Sequence, residues 1–162
     1  MVGVGTSGWA GQGLYATQPI ATGTRILQYQ GERISKEESA RRRAAGNNYI
    51  FHLDYASDLD GVDLANTARY INHSCSPNCR VEISGGQIWI VADRDLLPNE
   101  ELSFSYGYDL TDYQRFPCAC GARNCCGYLL AREFWGELPQ SRENYCWPSS
   151  QDSIADTASS KE

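Results

Sequence analysis

The stretch RYINHSCSPNC, at positions 69–79, is dense in side chains that can do chemistry. It holds a guanidinium, amides, thiols and one of the chain's two histidines. Because the flanking amide and hydroxyl groups hydrogen-bond in fixed directions, we expect a binding or catalytic site here rather than a core segment. The alternative is a tight turn in which Ser76, Pro77 and Asn78 supply the turn chemistry.

Three of the seven cysteines follow the close spacing Cys118-x-Cys120-x4-Cys125. An odd number of cysteines cannot all form disulfides, and in an intracellular protein this spacing is more typical of a metal site than of a disulfide framework. Thiolates without another soft partner favour zinc. Three ligands need a fourth, and Cys126 is an alternative to Cys125 as the third.

A cysteine nucleophile activated by histidine is a competing interpretation, because Cys75 lies two residues after His73. We expect these two side chains to point to opposite sides of an extended chain, which disfavours that interpretation. The other histidine, His52, has no second metal-type residue at a useful spacing, so we expect it to be a surface or structural residue.

Aromatic residues alternate with small ones in SFSYGY, at positions 103–108. Alternate residues of a strand share a face, so Phe104, Tyr106 and Tyr108 would line one surface. Aromatic faces tolerate a methylammonium group. With Tyr49, the three could form a channel for an amine. The alternative is that they pack in the core.

The elements that would position these residues are mostly strands. Within residues 1–31 we predict two short strands joined by turns. Gly11-Gln12-Gly13 lies there, and its glycines would let a ligand approach the backbone closely, although an ordinary turn explains the pattern as well. Alternation over 81–91, with Gly85-Gly86 at its centre, predicts a hairpin, and residues 102–108 predict a further strand.

One helix is predicted over Ser35 to Gly46, with Ser35 as N-cap, Glu38 completing a capping box and Gly46 as the stop. Its three arginines are interpreted as a solvated face. A strand over 47–53 follows, and Asp60-Gly61 predicts a hairpin turn.

The chain's size and charge narrow the class of protein. At 162 residues, of which 41% are hydrophobic, the chain suits one domain with a real core. Its net charge of −6 argues against direct nucleic-acid binding and fits a basic partner. Apolar runs such as 88–92 are too short to cross a bilayer, so we expect a soluble, intracellular protein, nuclear if eukaryotic and otherwise cytoplasmic. We also expect a monomer.

Taken in order, a glycine turn, RYINHSCSPN, ELSFSYGY and the Cys-x-Cys-x4-Cys tail resemble the SET-domain family of protein lysine methyltransferases, from about Gly3 to Glu133. The resemblance implies a mostly β fold of several small sheets with a knot-like C-terminal threading and a zinc-bound post-SET tail. It places the SET domain at 1–113, the post-SET zinc segment at 114–133 and a C-terminal extension at 134–162, which we expect to be disordered from about 149.

The resemblance also implies roles for individual residues. Tyr106 matches the catalytic tyrosine, and Tyr49, Phe104 and Tyr108 match residues that line the lysine channel. The S-adenosylmethionine-binding set would be Gly11, Gln12, Gly13, Tyr49, Arg69, Asn72, His73, Tyr106 and Leu129. One structural zinc ion would be held by Cys75, Cys118, Cys120 and Cys125, which leaves Cys79 and Cys146 unassigned.

The function implied is S-adenosylmethionine-dependent methylation of lysine in a basic protein, most simply a histone tail in chromatin. Phe104 matches the position where phenylalanine leaves room for di- or trimethylation. Two other functions are consistent with the same residues. One is a catalytically inactive SET-like module that binds cofactor or a lysine peptide, although such a module has little need of the Tyr106 hydroxyl. The other is a zinc-stapled interaction domain without cofactor.

Overall fold

The computed structural model describes residues 1–111 and 113–138. These residues form ten strands, one α-helix and three short 3-10 helices. The strands are β1 Val2–Ser7, β2 Gly11–Ala16, β3 Arg25–Tyr29, β4 Glu32–Ser35, β5 Ile50–His52, β6 Ser57–Asp60, β7 Asn72–His73, β8 Cys79–Ser84, β9 Gln87–Ala92 and β10 Ser103–Phe104. The helix α1 is Lys36–Ala44, and the 3-10 helices are Thr67–Tyr70, Tyr113–Arg115 and Arg132–Glu137.

The described strands form four small sheets, in the orders β1-β2, β3-β9-β8, β4-β6-β5 and β10-β7. All pairs are antiparallel except β7 and β10, which run parallel with Asn72 opposite Ser103 and His73 opposite Phe104. The predicted mostly β fold of small sheets is therefore confirmed. The parallel pair matters most for function, because it places the polar stretch 69–79 beside the aromatic stretch 103–108.

Aliphatic side chains from several sheets meet in one core. Those with almost no solvent exposure include Leu14, Ile71, Ile88, Ile90, Leu96 and Leu102. Removing each such side chain from water contributes roughly 1.5 to 3 kcal/mol. The core therefore anchors β2, β9 and the segments that lead into β7 and β10, so the polar residues at the ends of these elements have fixed positions.

The hairpin of β8 and β9 is confirmed with its predicted turn. Gly85 and Gly86 both have positive φ, at 59° and 72°. A two-residue turn of this kind matches the right-handed twist of the strands, and glycine adopts it without steric cost. Residues 1–31, by contrast, contain three strands, whereas two were predicted. The third strand, β3, pairs with β9 and not with its sequence neighbours.

The helix is confirmed close to its predicted bounds. The Ser35 hydroxyl accepts the Glu38 N–H at 3.2 Å, and Gly46 follows the helix with φ 93°. The interpretation of its arginines as a solvated face is wrong for Arg42, whereas Arg41 and Arg43 are exposed. Arg42 binds Glu32, Glu38 and Asp60 at 2.6 to 2.8 Å, and Arg43 donates to the Ile50 carbonyl at 2.7 Å. With few apolar residues to bury, the helix docks on its sheet through charge pairs.

The hairpin turn predicted at Asp60-Gly61 is also wrong. Asp60 is the last residue of β6 and is buried, and the turn that joins β5 to β6 lies at 53–56. There the Asp54 carboxylate accepts the N–H groups of Ala56 and Ser57 at 2.9 and 2.8 Å. The Asp60 carboxylate does form a local turn, because it accepts the Val62 N–H at 3.1 Å. No strand returns after that turn, since β6 pairs with β4 and β5, which both precede it.

The strand predicted over 102–108 is much shorter than expected, because β10 contains only Ser103 and Phe104. Beyond it, Gly107 adopts φ 70° and redirects the chain. Tyr108 then exchanges backbone hydrogen bonds with the tail, from its N–H to Leu129 at 3.2 Å and from the N–H of Ala131 to its carbonyl at 2.9 Å. The tail is thereby attached beside the aromatic stretch.

Within the described ranges, none of the helices combines the length and apolar character needed to cross a lipid bilayer. The disorder expected from about 149 lies outside the described residues, as does Cys146.

Candidate active site and metal centre

Four thiols meet where the tail crosses the end of β7. Their sulfur atoms, from Cys75, Cys118, Cys120 and Cys125, all lie within 4.8 Å of one another. The Sγ of Cys75 is 3.9 Å from that of Cys118 and 3.8 Å from that of Cys125. Four thiolates around a tetrahedral zinc, at Zn–S distances of about 2.3 Å, would be about 3.8 Å apart. The group can therefore hold a metal ion, and its donor set fits zinc.

Local backbone structure holds the thiols in place. The Cys75 N–H donates to Cys120 Sγ at 3.4 Å, and the Gly127 N–H donates to Cys125 Sγ at the same distance. The Asn124 amide reaches the Cys75 carbonyl at 3.3 Å, which connects the tail to the polar stretch. Hydrogen bonding to the neighbouring thiols raises the pKa of Cys75. Four thiolates at this spacing would accordingly need a bound cation.

The remaining described cysteines lie outside this group of four. Cys126 Sγ is 3.9 Å from Cys75 Sγ and donates to the Tyr128 carbonyl at 3.2 Å. The geometric group contains Cys125 rather than Cys126, in agreement with the spacing chosen from the sequence. Cys79 is buried in β8, and burial raises the pKa of its thiol to about 12, so it packs as a neutral side chain.

His73 lies against the thiol cluster, contrary to the expectation that it points away from Cys75. Its Nε2 is 3.5 Å from Cys75 Sγ. The expectation is wrong because residues two apart in an extended segment lie on the same face, not on opposite faces. The ring is not placed to activate a nucleophile, since its Nδ1 accepts the backbone N–H of Tyr106 at 3.1 Å. Burial lowers the pKa of His73 to about 4, so the imidazole is neutral at physiological pH.

Tyr106 contacts the rings of Phe104 and His73 on one side and remains 36% exposed. Phe104 is buried, with its ring centroid 5.1 Å from that of Tyr106 and 5.4 Å from that of Phe51. The Tyr106 hydroxyl donates to the Ile71 carbonyl at 3.0 Å. Burial raises the pKa of this phenol, and the nearby phenols of Tyr108 and Tyr49 raise it further. Tyr106 is therefore neutral at physiological pH.

Tyr108 and Tyr49 belong to separate segments of the chain. Tyr108 was predicted to share a strand face with Phe104 and Tyr106, and it does not. Its ring stacks on Phe116 of the tail, with centroids 4.3 Å apart. Tyr49 precedes β5, and the Arg69 guanidinium lies 4.2 Å from its ring centroid. Phe104 and Tyr106 thus come from one segment, whereas Tyr108 packs on the tail and Tyr49 packs under Arg69.

The glycine turn meets the polar stretch through Asn72. The Asn72 amide nitrogen donates to the Gln12 carbonyl at 2.8 Å and to the Glu101 carboxylate at 2.8 Å. Glu101 also accepts the Tyr15 hydroxyl at 3.0 Å. A Cβ on Gly13 would overlap the Glu101 side chain, so only glycine allows this approach. Gly11 has φ 74°, which also favours glycine.

Two predicted cofactor residues lie away from the contact between Asn72 and Gln12. Arg69 donates to the Val62 carbonyl and covers Tyr49, and among the described residues its buried Nε has no partner. Leu129 donates its N–H to the Phe116 carbonyl at 3.0 Å and accepts the Tyr108 N–H. Arg69 therefore lies with Tyr49, and Leu129 lies in the tail.

Glu101 is a site residue that the sequence does not identify. Glu100 and Glu101 are adjacent and chemically identical, so the sequence does not indicate which carboxylate faces the site. In the structure Glu100 binds Arg94, Asn78 and the Leu97 N–H, whereas Glu101 turns toward Asn72. Only the three-dimensional approach of β2 separates the two.

Comparison with known proteins gives a consistent set of similarities. A model of the SET domain matches residues 11–107. A histone-lysine N-methyltransferase, H3 lysine-4 specific, from Eremothecium gossypii is 39% identical over 129 residues, covering 72% of this chain and 13% of that protein. The protein of the same name from Saccharomyces cerevisiae is 39% identical over 129 residues, covering 72% of this chain and 12% of that protein.

A more distant similarity extends to animals. Histone-lysine N-methyltransferase SETD1B of Homo sapiens is 33% identical over 127 residues, covering 72% of this chain and 6% of that protein. The matched region therefore spans about one eighth or less of the length of these curated relatives.

Proposed function

The chain belongs to the SET-domain family, and on that premise we propose that it is an S-adenosylmethionine-dependent protein lysine N-methyltransferase that acts on a histone. Two relatives at 39% identity are named for lysine 4 of histone H3, which supports the H3 tail as substrate. Methylation of a histone would place the protein in the nucleus. The net charge of −6 suits a basic tail.

The observation that carries this proposal is the contact of the Tyr106 ring with the rings of Phe104 and His73, beside Asn72. The rings of Phe104 and His73 lie 5.1 and 5.4 Å from that of Tyr106, and the two segments are joined as parallel strands. Aromatic rings for an amine channel and polar groups for a cofactor thus lie next to each other on the paired strands β7 and β10. Transfer of a methyl group between a cofactor and an amine needs both, one on each side of the reacting atoms.

The amine must lose its proton before it can attack. A lysine with pKa of roughly 10.4 is mostly protonated at pH 7, and reaching the neutral form costs roughly 4 to 5 kcal/mol. The Tyr106 phenol is neutral because burial raises its pKa, so it does not act as a base. Instead, the aromatic walls lower the pKa of the amine by desolvation and align it. The phenol oxygen, oriented by its bond to the Ile71 carbonyl, stabilises the reacting centre.

The cofactor residues act through backbone and amide groups. S-adenosylmethionine, when bound, supplies an electrophilic methyl group. Gly11 leaves the backbone at the start of β2 open to a ligand, whereas the space beside Gly13 is filled by Glu101. Both N–H bonds of the Asn72 amide are used within the protein. The Asn72 Oδ1 then remains as the atom that accepts a hydrogen bond from the ligand.

Zinc is proposed as the metal, held by Cys75 and the three tail cysteines. When bound, it supplies a cross-link between the tail and β7 rather than a reactive centre, since four protein thiolates leave no open position. The tail residues Phe116 and Leu129 contact Tyr108, so the cross-link also fixes one wall of the channel. On this basis residues 1–113 form the SET domain and residues 114–133 the post-SET zinc segment.

The enzyme is proposed to add two or three methyl groups. Phe104 is buried against Tyr106, and its ring carries no hydroxyl at the channel wall. A tyrosine there would add a polar group that holds the amine or a water molecule and leaves less room for methyl groups. Phenylalanine leaves that space apolar.

The proposal is tested by transfer of labelled methyl from S-adenosylmethionine to recombinant histones, with the wild type and Tyr106→Phe. We expect transfer to H3, reduced roughly a hundredfold by the substitution. Tyr55→Phe is the matched control, because Tyr55 is 98% exposed. Cofactor binding without transfer to any histone or other basic protein would instead identify a binding module.

A further inference from the structure

His73 lies between two groups that the proposed function treats separately. On one side its Nε2 is 3.5 Å from Cys75 Sγ, a member of the thiol cluster. On the other side its Nδ1 accepts the backbone N–H of Tyr106 at 3.1 Å. The residue is 5% exposed, so water does not replace either contact. One side chain therefore touches both the metal centre and the residue at the channel.

The two contacts determine where the ring proton lies. A nitrogen that accepts a backbone N–H cannot itself carry a hydrogen, so Nδ1 is unprotonated. A neutral imidazole then carries its hydrogen on Nε2, directed at Cys75. The resulting N–H···S bond stabilises the negative charge of the Cys75 thiolate, as hydrogen-bond donors to metal ligands do in other metal sites.

Tyr106 has few other supports. Its hydroxyl donates to Ile71, and the chain before it is held by the two-residue strand β10 and by the Ser74 N–H to the Phe104 carbonyl at 3.2 Å. The strand ends two residues before Tyr106, and Gly107 follows it. The imidazole of His73 is thus the group that fixes the backbone of Tyr106 at the point where the regular ladder has ended.

We propose that His73 is a positioning residue that couples occupancy of the thiol cluster to the placement of Tyr106. A metal ion that holds Cys75 orients the imidazole, and the imidazole orients the Tyr106 backbone and hence its phenol. The identity of Tyr106 as the residue at the transferring methyl rests on the proposed function. The hydrogen-bonded path from Cys75 to Tyr106 rests on the geometry of this chain.

Two amide substitutions separate the two bonds of the ring. In His73→Asn the side-chain oxygen can replace Nδ1 as acceptor for Tyr106, but no donor reaches Cys75. In His73→Gln the longer amide can donate toward Cys75, but Tyr106 loses its acceptor. Both variants keep a polar side chain of similar size. His52→Gln is the matched control, since His52 is the other histidine of the chain and its side chain is 71% exposed.

Three measurements on the zinc-loaded full chain test the coupling. Chelator competition gives zinc affinity, which we expect to fall 10- to 100-fold in His73→Asn and to stay within about threefold of wild type in His73→Gln. Methyl transfer gives the opposite order, with kcat about tenfold lower in His73→Gln at unchanged KM for the peptide. Nitrogen-15 NMR of the wild type should show the His73 proton on Nε2.

Two results would overturn the inference. One is a proton on Nδ1. The other is equal loss of zinc affinity and of kcat in both amide variants, which would indicate a histidine that only maintains the fold. If methyl transfer is absent from every protein while the tautomer and the zinc affinities follow the expected order, the proposed function fails but the link from Cys75 to Tyr106 stands.

Discussion

The side-chain amide nitrogen of Asn72 lies 2.8 Å from the carboxylate of Glu101. The same nitrogen donates to the Gln12 carbonyl, so the carboxylate fixes the direction of the whole amide. Glu101 also fills the space that a side chain on Gly13 would take. It thereby joins the glycine turn, the polar stretch and the start of β10 at one point.

Replacing Glu101 by alanine is expected to weaken binding of S-adenosylmethionine about tenfold, because losing one charged hydrogen-bond acceptor costs roughly 1.5 kcal/mol or more. The Asn72 amide would then be held by the Gln12 carbonyl alone, so its orientation toward the ligand would be less well fixed. Isothermal titration calorimetry with the zinc-loaded protein measures the affinity. Gly13→Ala should weaken binding as well, since its methyl group displaces the Glu101 carboxylate.

Glu100→Ala is the control for that measurement. Glu100 is the adjacent carboxylate and binds Arg94 and Asn78 instead of Asn72. If both alanine variants bind the cofactor equally well, Glu101 has no role in orienting Asn72.

Phe104→Tyr is expected to shift the products toward monomethyl-lysine. The added hydroxyl enters a wall that is buried against Tyr106 and takes the space of a second methyl group. Mass spectrometry of an H3 peptide after exhaustive reaction measures the mono-, di- and trimethyl fractions. Phe116→Tyr adds the same hydroxyl to the ring behind Tyr108, and its product distribution should match that of the wild type.

Short motifs carried most of the site prediction. The group of four thiols contains Cys75 together with the three tail residues, although 43 positions separate Cys75 from Cys118. Spacing within the tail suggested metal, but only the family resemblance named the fourth member. The hairpin at Gly85-Gly86 and the cap at Ser35 followed from local chemistry, because the backbone angles of a turn and the first donors of a helix depend on nearby residues.

What the sequence did not predict depends on tertiary contacts. From the sequence, Asp60 is interpreted as a hairpin-turn residue and Arg42 as part of a solvated helix face. In the structure Arg42 donates to the buried Asp60 carboxylate, and this contact between distant residues has no local signal. Likewise, the alternation of Phe104, Tyr106 and Tyr108 resembled a strand. In the structure Tyr108 pairs with the tail instead, through backbone hydrogen bonds and its stack on Phe116. The residues at 103–108 give no local indication of that partner.

Removing the metal is expected to loosen the tail selectively. Without the metal, thiols whose pKa is raised, such as Cys75, take up protons and the cross-link is lost. The contacts of Leu129 and Ala131 with Tyr108 then lose their anchor. Hydrogen exchange after chelation should speed up at these amides by tenfold or more, whereas the amides of the β8–β9 hairpin, such as Ile90, stay protected. Equal acceleration throughout the chain would mean that the metal supports the whole fold rather than the tail.

Cys120→Ser should reproduce this loosening without chelator. Cys120 is the most buried of the three tail thiols, and serine is a poor ligand for a soft thiolate site. We expect the variant to lose stoichiometric zinc, as measured by atomic emission. Cys79→Ser, which changes a buried cysteine outside the cluster, should keep one zinc ion per chain.

Asp60→Asn is expected to destabilise the protein by about 3 kcal/mol at pH 7, because it removes the charge that Arg42 and Asn47 contact at 2.6 to 2.9 Å. Burial by itself would raise the pKa of Asp60, but hydrogen bonds from Arg42 and Asn47 outweigh it and the pKa is lowered below 3.8. Below 3.8 the unfolded chain therefore takes up the proton before the native state does. The contribution of the carboxylate is complete above this pH and is lost as the pH falls further.

The stability difference between wild type and Asp60→Asn should accordingly be constant from neutral pH down to about 5 and shrink below about 4. Urea unfolding at several pH values measures it, and thiolate-bound metal, which is released from both proteins at low pH, cancels in the difference. Asp93→Asn, which breaks the exposed pair with Arg80, should cost less than about 1 kcal/mol. A difference that does not change between pH 7 and pH 3 would show that packing, and not the charge of Asp60, attaches the helix to its sheet.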